Sequence, residues 1–187
     1  MDRDQDRDVT ESQQMSALKP YKTTPGLNNS TWYKGILTTQ LAGFKDNGGA
    51  FDIAVIRMRQ GTEPPPHVHS REHEFFYILS GEMQVYVGRQ VFNLTPGESI
   101  FLPQKVPHAF RLTSAEVHWV GFITPGGFFD AVSKMNAPAE RMEVPRDVDV
   151  ATYANVDMTE TIKVFESYGL RFLTAAEIGS EMPDYPL

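Results

Sequence analysis

Residues 61–81 read GTEPPPHVHSREHEFFYILSG and decide the fold, because they place two histidines one residue apart in an extended stretch. Alternate side chains of a β-strand point to opposite faces, so His67 and His69 present both imidazoles to the same side. The polar residues 70–73 predict a turn, after which Glu74 opens the next strand. Three candidate metal ligands therefore lie within one strand–turn–strand unit.

A second stretch, PGESIFLPQKVPHAFRL at residues 96–112, adds the fourth candidate. His108 follows Pro103 and Pro107, which mark a turn, and it opens a strand that reads HAFRL. The inward faces of these strands are predicted to converge inside a barrel. The four candidate ligands are His67, His69, Glu74 and His108.

Ordinary polar residues around a loop are the simpler explanation of this cluster. However, buried imidazoles and carboxylates without partners are costly, and one cation satisfies all four groups at once. Three nitrogen donors and one oxygen donor fit a divalent transition metal, whether Fe, Mn, Ni, Co, Cu or Zn. The chain has no cysteine, which argues against a closed structural zinc site. The sequence therefore predicts one divalent transition metal, of open identity.

The spacing of these residues resembles the two motifs of the cupins. The first motif is Gly, five residues, His-x-His, three or four residues, Glu, six residues and Gly. It is matched throughout by Gly61, His67, His69, Glu74 and Gly81. The second is Gly, five residues, Pro-x-Gly, two residues, His, three residues and Asn. Gly97, Pro103 and His108 match it, whereas Lys105 and Leu112 stand in place of its second Gly and its Asn.

The resemblance implies an all-β fold, a cupin antiparallel β-barrel of the jelly-roll type. Short segments bounded by Gly, Pro, Asn or Ser independently predict an antiparallel barrel or sandwich. Glu72 offers an alternative carboxylate, but its spacing falls short of the first motif, so Glu74 is preferred. Within the cupins, residues 35–51 and the tail resemble small one-domain bacterial proteins similar to quercetin 2,3-dioxygenase, which use one such metal to help split a flavonol with dioxygen.

Three segments are expected along the chain. Residues 1–20 lack apolar periodicity and are predicted to form a disordered arm. Residues 21–125 are predicted to form the β-barrel. Residues 126–187 are predicted to be a helical C-terminal cover of the same domain, because FFDAVSKM follows two glycines and residues 157–169 have a capping box and helical spacing. We interpret this cover as packing on an outer face rather than as a moving lid.

The charge balance limits the partners that the chain is expected to have. Lys+Arg 17 against Asp+Glu 24 gives a net charge of −7, which repels phosphate backbones and anionic lipid surfaces. We therefore expect neither nucleic acid nor membrane as a partner. The charged and polar N-terminal sequence is unlike a signal peptide, so a cytoplasmic location is expected.

Apolar residues are predicted around the metal. If alternation holds, the ligand faces also carry Phe76, Ile78, Phe110 and Leu112. Such walls suit a small aromatic substrate better than oxalate or a sugar phosphate, although inward Phe and Ile are also what any barrel core contains. His118 and Trp119 are expected to be local strand and packing residues.

The leading hypothesis is a metal-dependent dioxygenase similar to flavonol-cleaving cupins, with dioxygen as co-substrate. In this hypothesis Glu74 is a metal ligand and also the base that accepts the substrate's hydroxyl proton. Two alternatives remain: a metal-dependent lyase or isomerase, and a non-catalytic cupin that binds a small ligand. A homodimer is expected, because the predominantly β body and the N-terminal arm offer an edge for exchange between two chains.

Overall fold

The computed structural model describes residues 18–145 and 152–186, so most of the predicted arm at residues 1–20 lies outside the described residues. The described chain is built mainly of antiparallel β-strands. The strands are β1 (Ser30–Tyr33), β2 (Ile36–Ala42), β3 (Asp52–Arg59), β4 (His67–His69), β5 (His73–Ser80), β6 (Met83–Val87), β7 (Gln90–Leu94), β8 (Ser99–Leu102), β9 (His108–Leu112), β10 (Glu116–Thr124), β11 (Ala137–Pro138) and β12 (Leu170–Phe172).

These strands form two sheets around one core. The larger sheet has the order β11-β1-β2-β3-β10-β5-β8, and the smaller sheet has the order β12-β4-β9-β6-β7. Inward side chains of both sheets, such as Met58 and Trp119 from the larger and Val85 and Phe110 from the smaller, pack into a single apolar cluster. The predicted all-β architecture is confirmed, and it places β4 and β9 opposite β5.

Strand β5 shows how alternation selects the inward residues. Glu74, Phe76 and Ile78 are buried, whereas Phe75 and Tyr77 between them are exposed. In β4 the odd-numbered side chains point inward, whereas after the turn the even-numbered side chains of β5 do. Glu74 therefore faces the same interior as the histidines of β4. The sequence predicted this turn over residues 70–73, with Glu74 opening the strand; in the structure residues 70–72 join the strands and β5 begins at His73.

The tail differs in part from the predicted helical cover. It contains the helices α1 (Phe128–Ser133), α2 (Thr159–Ser167) and α3 (Ala175–Glu181). Between them, β11 pairs with β1 and β12 pairs with β4, so the tail also adds an edge strand to each sheet. Strands of two or three residues are too short to show a periodicity of two, which is why the sequence pattern did not reveal them. No helix of the described residues is both long and apolar enough to cross a membrane.

A buried carboxylate fixes the position of α1. Asp52 Oδ2 accepts hydrogen bonds from the backbone N–H groups of Gly127 at 2.8 Å and Phe129 at 3.3 Å. Gly127 has a φ of 114°, which a residue without a Cβ adopts without strain. The helix start is therefore held against β3, and Phe128 is directed into the molecule.

The outer face of the larger sheet carries a row of apolar side chains. Phe122 lies opposite both Ile53 and Phe75, and Phe75 lies opposite Phe101, so four strands contribute one residue each. The exposed fractions are 37% for Phe75 and 56% for Phe101. A contiguous apolar strip on a sheet face is a common feature of protein–protein interfaces.

The predicted homodimer can be tested on this strip. We expect the protein to sediment as a dimer, and Phe101→Asp to weaken the dimer by placing a charge in the apolar contact. Deleting residues 1–20 is expected to weaken it as well. Val91→Asp is the matched control, because Val91 is 39% exposed but belongs to the smaller sheet. A wild-type protein that stays monomeric at every concentration would contradict the prediction.

Candidate metal centre

The four predicted ligands come from strands of both sheets. In the smaller sheet, β4 lies between β9 and β12, and His67 is the register partner of His108. His69 follows on the same face of β4. Glu74 projects from β5 of the larger sheet. The site therefore forms only when the two sheets close on each other.

The ligand atoms of this cluster all lie within 4.8 Å of one another, and all four residues are buried. Glu74 Oε2 is 3.0 Å from His108 Nε2, and Glu74 Oε1 is 3.6 Å from His69 Nε2. Metal–nitrogen bonds are about 2.1 Å long, so opposite ligands of one ion lie about 4.2 Å apart. The dimensions of the cluster match those of a single ion site.

Backbone and side-chain acceptors orient all three imidazoles. Each Nδ1 atom faces an oxygen atom on the side of the ring away from the cluster. These contacts are His67 with Pro65 O at 2.8 Å, His69 with Glu72 Oε2 at 3.2 Å and His108 with Val106 O at 3.3 Å. An acceptor at Nδ1 keeps the proton there, which leaves Nε2 with a free lone pair for a metal.

Two of these Nε2 atoms have no hydrogen-bond partner within the described chain. They belong to His69 and His108, and both atoms are fully buried. His108 Nε2 lies 3.0 Å from Glu74 Oε2, and with the ring proton on Nδ1 it has no hydrogen to donate to this oxygen. Buried nitrogen atoms without partners are costly, and a cation in this space satisfies them. The donor set therefore fits a divalent transition metal.

Charge coupling within the cluster shifts three pKa values. Burial and the neighbouring His108 and His69 lower the pKa of His67 to about 3, so this imidazole is neutral. Burial raises the pKa of Glu74, but His69 and His108 outweigh burial and lower it to about 2. Burial likewise lowers the pKa of His69, and Glu74 with Glu72 outweighs this and raises it. The cluster thus holds an ionised carboxylate beside imidazoles.

Glu72, the alternative carboxylate of the sequence analysis, lies outside the ligand cluster. Its side chain is 2% exposed and accepts from the far side of the His69 ring. A carboxylate in this position orients the imidazole and raises its basicity as a ligand. The preference for Glu74 over Glu72 agrees with this geometry.

Glu72→Gln should lower the affinity for a transition metal by about 10- to 100-fold, because the amide is a weaker acceptor for the His69 proton. Competition with a chromophoric chelator measures this affinity. Arg71→Gln is the matched control, since Arg71 is exposed and its Nε atom lies 3.8 Å from Glu72 Oε1. Equal affinities of wild type and Glu72→Gln would remove the orienting role.

The turn before His108 keeps the geometry of the second motif despite Lys105. This residue has a φ of 65°, the left-handed conformation that favours glycine, and its N–H donates to His69 O at 2.7 Å. Lysine therefore adopts the conformation for which the motif has Gly. The hydrogen bond ties the turn to the ligand strand.

An aromatic cavity adjoins the cluster. Its volume of about 110 Å³ corresponds to about four water molecules at the roughly 30 Å³ that each occupies in the liquid. Among the described residues that line it, none has a cationic side chain. The aromatic residues of its wall are Tyr33, Phe76, Phe110, Trp119, Phe128, Phe129, Tyr153, Phe165 and Phe172. The tail contributes many of them, so it forms a wall of the cavity.

The predicted pocket residues divide into two groups. Phe76 and Phe110 line the cavity, two residues along their strands from Glu74 and His108. Ile78 and Leu112 do not line it; they are buried in the core, at 0% and 2% exposure. Four residues of strand carry them about 13 Å beyond the ligands, so they share a face with the ligands without reaching the cavity.

Several wall residues were missed by the sequence analysis. Trp119 was expected to pack locally, yet it lines the cavity. Phe128 lies 4.8 Å from the His69 ring, and Phe172 lies 6.2 Å from the His67 ring. The alternation of β10 places Trp119 inward, whereas no local pattern signals the contacts of the tail.

Comparisons with known proteins agree with this fold. The family model described as Cupin domain matches residues 54–121. Quercetin 2,3-dioxygenase of Bacillus subtilis is 24% identical over 126 residues, which cover 67% of this chain and 37% of that protein. This chain thus spans little more than a third of the curated relative.

Solved structures show similarity at the level of the fold. Ectoine synthase from P. lautus superposes with a TM-score of 0.52 at 18% identity, covering 72% of this chain and 99% of that one. An RmlC-like cupin from Shewanella frigidimarina has a TM-score of 0.49 at 21% identity, covering 58% and 93%.

Proposed function

We propose that this chain, a member of the cupin superfamily, is a metal-dependent dioxygenase that cleaves a flavonol-like aromatic substrate with dioxygen. The observation that carries the proposal is the aromatic cavity, whose lining includes His67, His69 and Glu74 of the four-ligand cluster. Its lining offers apolar walls and no cation among the described residues, which suits a neutral aromatic ligand. The similarity to quercetin 2,3-dioxygenase supports the same substrate class.

The metal would be held by His67, His69, Glu74 and His108. A divalent metal held there would supply Lewis acidity that makes a substrate hydroxyl more acidic. The ionised Glu74 then accepts the hydroxyl proton at a carboxylate oxygen. With such a metal in place, a carboxylate of low basicity would be sufficient as the proton acceptor.

The cavity walls orient the substrate and exclude water. Phe76 and Phe110 meet at a ring-centroid distance of 5.9 Å and an interplanar angle of 87°, which forms one corner of the cavity. Phe128 and Phe165 stack at 5.8 Å on the side of the tail. Aromatic walls of this kind hold a planar ligand in one orientation and remove water from the reacting atoms.

A second candidate is a metal-dependent lyase or isomerase that does not use dioxygen. The ionised Glu74 beside the ligand histidines favours it, because proton transfer at a bound substrate needs no further group. A non-catalytic cupin that binds a small ligand would use the same cavity without turnover.

Oxygen uptake separates these candidates. We expect metal-loaded protein to consume oxygen and flavonol in equal amounts when tested on a panel of flavonols. Metal-free protein is the control and should consume neither. Flavonol loss without oxygen uptake would favour the lyase or isomerase, and binding without turnover would favour the non-catalytic cupin.

A further inference from the structure

The aromatic cavity beside the four-ligand cluster is too small to hold a whole flavonol. Its volume is about 110 Å³. A protein cavity of about 150 Å³ holds one benzene molecule, and pockets for drug-sized ligands have about 300 Å³ or more. One ring of a substrate therefore fits beside the metal ligands, and the rest of a three-ring substrate has to extend into an adjoining space.

A second open space, the outer cleft, adjoins this cavity. It has a volume of about 290 Å³ and lies between β2 and α1. Three side chains line both spaces, namely Thr38, Phe129 and Val132. By contrast, the cleft between β1 and α2 shares only Tyr33 with the cavity among the described residues. The outer cleft is therefore the space into which a ligand of the cavity can best extend.

Strand β2 passes from the cavity into the outer cleft. Ile36, Thr38 and Gln40 occupy successive positions on one face of this strand. Ile36 lines the cavity, Thr38 lines both spaces, and Gln40 lines the cleft. Successive residues on one face of a strand are about 7 Å apart. The two spaces thus follow each other within a distance that one molecule of several rings can span.

Helix α1 forms the opposite wall of both spaces. Phe129 and Val132 lie three residues apart on one face of the helix, at the boundary between the spaces. Phe128 lines the cavity, whereas Ser133 lines the cleft. The Phe128 ring lies 4.8 Å from the His69 ring and 6.0 Å from the Phe129 ring. The boundary is therefore only two ring contacts away from a metal ligand.

The outer cleft is polar and uncharged. None of the described residues that line it has a charged side chain. Its walls include the exposed residues Asn28, Gln40 and Ser133. Amide and hydroxyl groups of this kind both donate and accept hydrogen bonds, so they can pair with hydroxyl groups of a ligand. The cleft therefore fits an uncharged ring that carries hydroxyl groups.

We propose that the outer cleft is a subsite for the ring of the substrate that lies remote from the metal. The ligand class is an uncharged, hydroxylated compound of several rings, with its metal-binding oxygens in the cavity and its outer ring in the cleft. Phe129 packs against this ligand where it passes from one space to the other. This inference rests on the proposed function and adds where the second half of a flavonol binds.

Two ligands that share a metal-binding group but differ in size test this subsite. The probes are maltol, which has a single ring, and 3-hydroxyflavone, which adds a fused ring and a phenyl ring to the same hydroxyketone. Each is titrated by calorimetry into the zinc-loaded full chain under nitrogen, so that no oxygen is consumed. Ser133→Trp and Gln40→Trp fill the cleft from its two walls, and neither residue lines the cavity.

Each of these two variants should bind 3-hydroxyflavone about tenfold or more weakly than wild type, because the outer ring loses its buried position. Both variants should bind maltol as wild type does. Lys134→Trp is the matched control. Lys134 is the exposed neighbour of Ser133, and its Nζ atom lies over the Tyr168 ring at 4.9 Å, outside the cleft. The control should bind both probes like wild type.

Three outcomes would overturn the proposal. If wild type and both cleft variants bind 3-hydroxyflavone equally, the substrate does not use the cleft, and the proposed function stands. If the variants weaken maltol as much as 3-hydroxyflavone, the effect comes from the metal centre, and the cleft is not a subsite. If 3-hydroxyflavone does not bind to wild type, the proposed function fails and the subsite fails with it; binding of maltol would then restrict the cavity to single-ring ligands.

Discussion

Replacing His69 with alanine is expected to remove nearly all bound metal and all flavonol turnover. His69 is a fully buried member of the cluster, and its Nε2 has no other partner within the described chain. Loss of a direct ligand should cost more than the roughly 10- to 100-fold in affinity that follows loss of an orienting partner. Elemental analysis of protein purified without chelator should find about one divalent metal per wild-type chain and almost none in the variant.

His73→Ala is the matched control for this experiment. His73 lies four residues away, where its Nδ1 accepts from the backbone N–H of Gln104 at 3.1 Å and its ring stacks on Phe101 at 5.4 Å. It is not part of the ligand cluster. The control should keep its metal. Metal-free wild type that rebinds no transition metal would exclude every mechanism considered above.

Glu74→Gln should lower turnover by about 100-fold or more when the variant and wild type carry equal amounts of metal. The amide cannot accept a proton as the carboxylate does, and general-base catalysis typically contributes 10²- to 10⁴-fold. Flavonol loss and oxygen uptake are followed together at equal metal occupancy. Matching the occupancy removes the effect of lost metal, so the remaining difference in rate reports on the carboxylate itself.

Glu72→Gln is the control for the base role. This variant makes the same carboxylate-to-amide replacement two residues before Glu74. The Glu72 side chain contacts His69 from outside the cluster. At equal occupancy it should turn over close to wild type. If Glu74→Gln also turned over like wild type, Glu74 would be a ligand without a role as base.

Much of the metal centre follows from local spacing. A strand places His67 and His69 on one face whatever the rest of the chain does, and the turn at residues 70–72 sets which face of β5 carries Glu74. The inward alternation of β5 likewise follows from its sequence. The ligand set and the all-β architecture were therefore predicted from periodicity and motif spacing.

Contacts between distant segments were not predictable in this way. The pairing of Phe172 with His67 joins residues that are far apart in the sequence, and a strand of three residues has no period to read. The position of α1 over His69 depends on the buried Asp52, which looks like an ordinary strand residue in the sequence. Helix α3 was missed although Thr174 and Glu177 form a capping box, a local signal that was present.

The sequence by itself determined which side chains can hold a metal and which face of each strand is buried, because both depend on spacings of a few residues. Only the tertiary structure decided how deep the cavity extends, which left Phe76 and Phe110 on its wall and Ile78 beyond it. The tertiary structure also placed the outer cleft against the cavity, with Thr38 and Phe129 in the walls of both. Periodicity fixes the direction of a side chain, whereas the packing of distant segments fixes what that side chain meets.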